Sequence, residues 1–287
     1  MKGNRNFTNP KTQILYKLLF IDIDGTLLAS DHQISPSTQA CIKRVSLKNK
    51  IQTILTTARP PQAVKDFYCV LNLSSPVVCF NGALILKDLA PDRNDLVLQS
   101  LNIAPKFLEQ VYAIAAESKV NISFYASSEW ITDCYDDWIM QEENITRTKV
   151  SVADVSMQIN NWANENYGPH KILIMGEPDE LDNISKILKV KTNHQLAIYK
   201  SKPTYLEIMN IAASKNTAIE YLLRKYNVSS KEIIAIGDNY NDIEMLQMAG
   251  LGIAMGNAPE EVKMHADFIT LDNDSDGISI ALDQFIP

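Results

Sequence analysis

The chain of 287 residues has no stretch approaching the ~18 apolar residues that a membrane-spanning helix needs, so a membrane protein is not expected. Its opening, MKGNRNFTNPKTQ, lacks the apolar core of a secretory signal. Residues 1–13 therefore read as a short disordered leader. Cysteine is scarce. Cys41, Cys69, Cys79 and Cys134 form no CxxC pair and are too sparse for a disulfide framework, which fits reduced thiols in a cytoplasmic protein. With 10 glycines there is no collagen triplet period, and no repeat recurs at 20–50 residues. Basic residues are outnumbered 27 to 34, and the pI is about 5.2, so a phosphate-neutralising nucleic-acid surface is not expected. The absence of a GxxxxGK[ST] loop leaves a P-loop nucleoside triphosphatase poorly supported.

What is present is an ordinary globular balance, 46% hydrophobic and 21% charged, with length enough for two domains. Apolar runs alternate with helical patterns. A buried strand within Ile14–Ile23 leads to a helix over Ser35–Lys48, with Ser35 as cap and Pro36 in its first turn. Strands follow at Ile51–Leu55 and Pro76–Phe80, with a helix between them. This rhythm predicts a parallel α/β sheet. After Gly82 the pattern changes to neighbouring strands and segregated helices, and near Thr217 the first rhythm returns. The economical reading is an α/β core (14–85 and 207–287) split by an inserted α+β domain (86–206). Its linkers are expected near Lys87–Asp88 and Lys202–Thr204, with Pro203 stiffening one.

Three strand ends carry unusual polar density. Asp22 and Asp24 lie two apart after an apolar strand, and in extended chain would share one face. Side by side, two carboxylates repel unless a cation or a proton lies between them. Asp238 closes a second apolar strand, with Asn241 and Asp242 opening the next helix, where Asp242 also reads as a cap. In an open α/β sheet, sites form beyond the carboxyl ends of strands, which would gather Asp22, Asp24 and Asp238. Oxygen ligands without His or Cys favour Mg²⁺. Thr57 and the N–H of Ala58 end another strand and could donate to a phosphate, and Lys215 before a helix could balance its charge. Taken singly, Thr57 reads as a strand-end hydroxyl and Lys215 as a surface lysine.

In order, DIDGTLL, TTAR, SKNTA and GDNYNDIEML resemble the four signature motifs of the haloacid dehalogenase superfamily. FNGA at Phe80–Ala83 and AMGNAPEEVKMHAD at Ala254–Asp267 resemble segments of its Cof-type (subclass IIB) phosphatases. The resemblance implies a Rossmann-like parallel-sheet core with an inserted C2-type cap. It also implies a Mg²⁺-dependent phosphomonoester hydrolase acting on a small, sugar-phosphate-like metabolite. Asp22 would be the nucleophile, and Asp24 the general acid and base. Mg²⁺ would be held by Asp22, Asp238 and the carbonyl of Asp24, with Asp242 orienting metal-bound water or Lys215. Ile23 and Ala58 through their N–H groups, Thr57, Lys215 and Asn241 would hold phosphate oxygens. Two positions depart from the family pattern: Ala58 and Asn216 stand where glycine is usual. The alternatives are a phosphomutase and a non-catalytic binding protein on the same fold. In the insert, Ser123–Trp138 concentrates aromatics and acids. It reads as cap core plus an exposed loop, or as a surface facing the leaving group. His170 and His194 carry no assigned role.

Overall fold

A computed structural model describes residues 15–89 and 97–286, and the expected leader, 1–13, lies outside the described residues. Strand β1 (Leu18–Ile21) is buried throughout. Helix α1 (Pro36–Lys48) starts as its sequence dictates, with Ser35 accepting from the Thr38 N–H and proline in the first turn. Strand β2 (Gln52–Thr56), helix α2 (Lys65–Val70) and strand β3 (Val77–Cys79) complete the first alternation. Strands β4 (Leu84–Leu86) and β5 (Val97–Ser100) then return antiparallel on the edge of the same sheet.

The chain next builds α3 (Leu108–Ala116), β6 (Asn121–Ala126), β7 (Glu129–Thr132), α4 (Asp137–Thr146), β8 (Ser151–Val152) and α5 (Val155–Glu165). It continues through β9 (Lys171–Met175), α6 (Pro178–Lys191), β10 (Leu196–Lys202) and β11 (Tyr205–Asn210). Its last third adds α7 (Lys215–Tyr226), β12 (Ile233–Gly237), α8 (Ile243–Met248), β13 (Leu251–Ala254), α9 (Glu260–Lys263), β14 (Phe268–Ile269) and α10 (Gly277–Phe285).

Two sheets result. The larger has the order β14-β13-β12-β1-β2-β3-β4-β5 and the smaller β10-β11-β9-β6-β7-β8. In the larger, β1 lies between β12 and β2, parallel to both. The early strands extend from β1 to one side and the late strands to the other. The crossovers therefore diverge at β1 and open a crevice at its carboxyl end.

Four details correct the sequence reading. The first strand is shorter than Ile14–Ile23, running from Leu18 to Ile21. The insert does not begin at 86, because β5 pairs with β4 in the larger sheet, and the smaller sheet spans Asn121–Asn210. Pro203 is no linker residue. It turns the β10–β11 hairpin, where a missing N–H interrupts no ladder bond. The passages between the sheets lie near Asn102 and Asn210, and Asn210 Nδ2 ties them by donating to the Asn102 carbonyl at 2.9 Å.

The smaller sheet has two unlike faces, set by the period of two along each strand. Ile122, Phe124, Ile172, Ile174, Leu206 and Ile208 pack against α3, α5 and α6. The alternate residues Tyr125, Leu173, Met175, Tyr205 and Met209 join the hydrophobic cluster that contains β1 and its neighbours. Lys171 and Glu207 share the phase of that second set, so they belong to the face turned toward the larger sheet.

Candidate active site

The site begins where β1 stops. Asp22 extends the ladder by one residue, its N–H donating to the Ile236 carbonyl at 3.0 Å. The chain then turns through Gly25 at φ +80°, and a Cβ there would run into Oδ2 of Asp238. Glycine is required both by the left-handed backbone and by this close approach. Asp22 and Asp24, expected on one face, both border the same cavity but differ in exposure. Asp22 is buried, whereas the Asp24 carboxylate is half-exposed and held by Arg59, with Nε to Oδ2 at 2.8 Å and Nη2 to Oδ1 at 2.6 Å.

Lys215 is no surface lysine. It opens α7 behind a Ser214 capping box, is fully buried, and donates its ammonium to Asp22 and Asp242. Burial by itself would lower its pKa, but the two carboxylates beside it hold it above its ordinary value. Asp242 uses both oxygens internally. Oδ1 accepts from Lys215 at 2.6 Å, and Oδ2 accepts from the N–H groups of Asp238 at 3.0 Å and Asn239 at 2.9 Å. Asp238 closes the group, with Oδ1 accepting from the Thr26 hydroxyl at 2.6 Å.

Carboxylate oxygens of Asp22, Asp238 and Asp242 lie within 4.8 Å of one another. Three carboxylates against one ammonium leave two formal negative charges. Burial pushes Asp22 well above the usual carboxylate range, with Lys215 opposing and Asp242 and Asp238 adding to the shift. Burial likewise pushes Asp238 to about 6. Such a cluster takes up a proton or a cation, and an all-oxygen donor set with two uncompensated charges suits a hard divalent ion. Asp242 already accepts three hydrogen bonds, which leaves Asp22 and Asp238 with the greater capacity for such an ion.

On the other side of β1, the Thr57 N–H donates to the Val78 carbonyl at 2.9 Å, and its Oγ1 accepts from the Arg59 N–H at 3.1 Å. Thr57 and Ala58 both line the cavity, where the Thr57 hydroxyl proton is available to a ligand. Ile23 is fully buried, and its carbonyl accepts from Leu28 at 3.0 Å. Asn241 lines the cavity too, but its amide donates to Asn81 Oδ1 at 2.9 Å. Asn81 in turn donates to the Tyr199 hydroxyl at 2.8 Å, joining the larger sheet to the smaller. Phe80 and Asn81 both have positive φ, 49° and 48°, a costly conformation for non-glycine residues that holds the Asn81 amide at the site.

A cavity of about 450 Å³ lies over Asp22 and Asp24, walled on the far side by Lys171, Tyr199, Tyr205, Glu207 and Glu142. Residues 19–282 match the model for haloacid dehalogenase-like hydrolases. The chain belongs to this family. A Haemophilus influenzae protein provisionally named a phosphatase is 35% identical over 96% of this chain and 100% of its own length. A Bacillus subtilis relative named 5-amino-6-(5-phospho-D-ribitylamino)uracil phosphatase is 28% identical, covering 93% of this chain and 97% of its own. A haloacid dehalogenase-like hydrolase from Bacteroides thetaiotaomicron superposes with a TM-score of 0.86 at 27% identity, covering 94% and 100% of the two chains. With such relatives along its whole length, the chain is a phosphatase of the haloacid dehalogenase family, built as a Rossmann-like α/β core with a cap.

The sequence reading missed several residues of this haloacid dehalogenase site. Arg59 and Asn81 stood inside quoted motifs without a role. Thr26 likewise stood inside DIDGTLL without a role. Lys171 and Glu207 carried a signal, each being a lone charge in an otherwise apolar strand, but the face they occupy is visible only once the strands are paired.

Proposed function

We propose that this phosphatase is a Mg²⁺-dependent phosphomonoester hydrolase that works through an aspartyl-phosphate on Asp22. The observation that carries the reading is the buried Asp22 carboxylate, clasped by Lys215 beside Asp238 at the floor of the cavity. Asp22, Asp238 and the Asp24 carbonyl would hold the ion. When bound, Mg²⁺ would offset the repulsion between a carboxylate nucleophile and an anionic phosphoryl group.

The chain's own residues account for the rest. One Asp22 oxygen attacks phosphorus while the bond to the leaving alcohol breaks, and Lys215 fixes the other oxygen and balances charge. Thr57 and the N–H groups of Ile23 and Ala58 donate to the phosphoryl oxygens. Asp24 protonates the leaving oxygen, then takes the proton of the water that cleaves the aspartyl-phosphate. For this, Asp24 must leave the clasp of Arg59, which occupies both its oxygens. Asn241 gives one N–H of its amide to Asn81 and keeps the other for a phosphate oxygen.

The substrate class is a small, sugar-phosphate-like metabolite. A cavity of about 450 Å³ has room for one, and the Bacillus subtilis relative is named for a phosphorylated ribityl compound. Among the described residues, no helix is long and apolar enough to cross a membrane, and the acidic net charge of −7 disfavours nucleic acid. A cytoplasmic enzyme free of both fits these facts.

The test is hydrolysis of p-nitrophenyl phosphate with and without metal. EDTA should suppress turnover and Mg²⁺ restore it. Asp22→Asn should lower kcat by at least about 1,000-fold with the fold intact by circular dichroism. Turnover indifferent to both treatments would refute the reading.

A further inference from the structure

The wall of the cavity opposite Asp22 holds an ion pair that the phosphoryl chemistry does not use. Cross-strand register assembles it. Lys171 pairs with Tyr125 on β6, and Glu207 pairs with Tyr199 on β10. All four side chains belong to the face of the smaller sheet that is turned toward the site. Lys171 and Glu207 are each about 95% buried, yet both line the cavity.

The pair is poorly satisfied within the protein. Lys171 Nζ lies 3.9 Å from Glu207 Oε2, beyond hydrogen-bond range. The ammonium rests over the Tyr125 ring, 4.9 Å from its centre. Glu207 accepts from the Tyr199 hydroxyl at a long 3.3 Å. The Tyr125 hydroxyl, buried among the same residues, has no hydrogen-bond partner among the described residues. Glu142, the other acid of this wall, accepts from the Tyr205 hydroxyl at 2.9 Å. Lys200 is bonded away to Asp182 at 2.7 Å, and Lys202 lies over the Tyr205 ring at the exposed rim. Buried charges that lack direct hydrogen bonds are costly unless another group completes them.

A ligand hydroxyl can complete them. It can accept from an ammonium and donate to a carboxylate at once, and an oxygen about 2.8 Å from both atoms fits over a 3.9 Å base. An apolar group would shut out water and leave both charges unmatched. A second anion would meet Glu207 and Glu142.

We propose that Lys171 and Glu207, with Tyr199, form the leaving-group subsite and select phosphate esters of polyhydroxylated alcohols by bridging one of their hydroxyls. This rests on the phosphatase reading and adds to it the residues that read the substrate. Because Tyr199 also accepts from Asn81, the subsite is joined by hydrogen bonds to Asn241 on the catalytic side.

The test compares two primary phosphate esters of six-carbon chains, hexitol 6-phosphate and hexyl phosphate, which differ in their pendant hydroxyls. Wild-type enzyme should prefer the hexitol ester by at least about 100-fold in kcat/KM, because a site built to bond hydroxyls rejects analogues that lack them. Glu207→Gln and Lys171→Met should each lower kcat/KM for the hexitol ester at least about tenfold more than for the hexyl ester. A wild-type preference within about threefold, or variants that lower both esters equally, would overturn the proposal. The wild-type ratio decides even where a variant fails to fold. If wild-type enzyme hydrolyses p-nitrophenyl phosphate but neither ester, the subsite assignment fails alone. If it hydrolyses none of the three, the phosphatase reading fails first.

Discussion

The ammonium of Lys215 lies 2.6 Å from Oδ1 of Asp242, and both side chains are wholly shielded from water. Asp242 thereby positions the lysine that faces Asp22, while its second oxygen pins the backbone on which Asp238 stands. Lys215→Met should leave two buried carboxylates without their cation. Loss of one partner from such a group costs about 3–5 kcal/mol. Thermal or urea unfolding should show it. Asp242→Asn should also destabilise, because an amide in that pocket must turn its NH₂ toward either the ammonium or two N–H donors. Unfolding midpoints unchanged in both variants would mean that the pairing contributes nothing net.

Gly25 tests the cation site separately from the nucleophile. A methyl group at this position meets Asp238 Oδ2, on a backbone at φ +80° that alanine resists. Gly25→Ala should therefore displace Asp238 while leaving Asp22 and Lys215 in contact. The Mg²⁺ concentration giving half-maximal turnover should rise at least about tenfold, the scale seen when the support of a metal ligand is lost. An unchanged requirement would remove Asp238 from the cation site.

His170 is expected to make stability fall in mild acid. Its Nδ1 accepts from the Ser127 N–H at 3.0 Å, which places the ring proton on Nε2, 2.9 Å from the Ser100 hydroxyl. The ring stacks on Phe80 at 5.5 Å, and burial lowers its pKa to about 4. The unfolded chain takes up this proton near pH 6.5, whereas the folded chain does not until about 4. Its contribution is complete above pH 6.5 and declines as pH falls toward 4, by about 1.4 kcal/mol per unit. Urea midpoints at pH 7, 6 and 5 should fall less steeply for His170→Gln than for the wild type. Parallel slopes would show that the ring titrates normally.

The floor of the site was legible because two of its carboxylates, Asp22 and Asp238, directly follow buried apolar strands. Nothing in packing alone asks for Asp22 or Asp238 there, so chemistry was the economical reading. Lys215 was ambiguous, since a lysine in the first turn of a helix is ordinarily solvated. Only the approach of α7 to β1 turns it inward. The far wall was hidden for another reason. Whether Glu207 or Leu206 faces the cavity depends on the partners of β11, which local periodicity does not specify. Helices α4 and α5 were unread because QEENIT and MQINNWANE mix polar residues with few apolar anchors, and α5 buries only Val155, Ile159 and Trp162. Pro203 misled because a proline between two polar residues resembles a linker as much as a hairpin turn.

The central place of β1 also governs how the chain can mature. Its first neighbour, β2, follows within a few dozen residues, but its second, β12, is made after the whole excursion through the smaller sheet. A nascent polypeptide halted before Ile233 would carry Leu18–Ile21 with one ladder edge unpaired and no Asp238 beside Asp22. Synthesis thus delivers the acidic floor of the site only after the strands that carry Lys171 and Glu207 have been made.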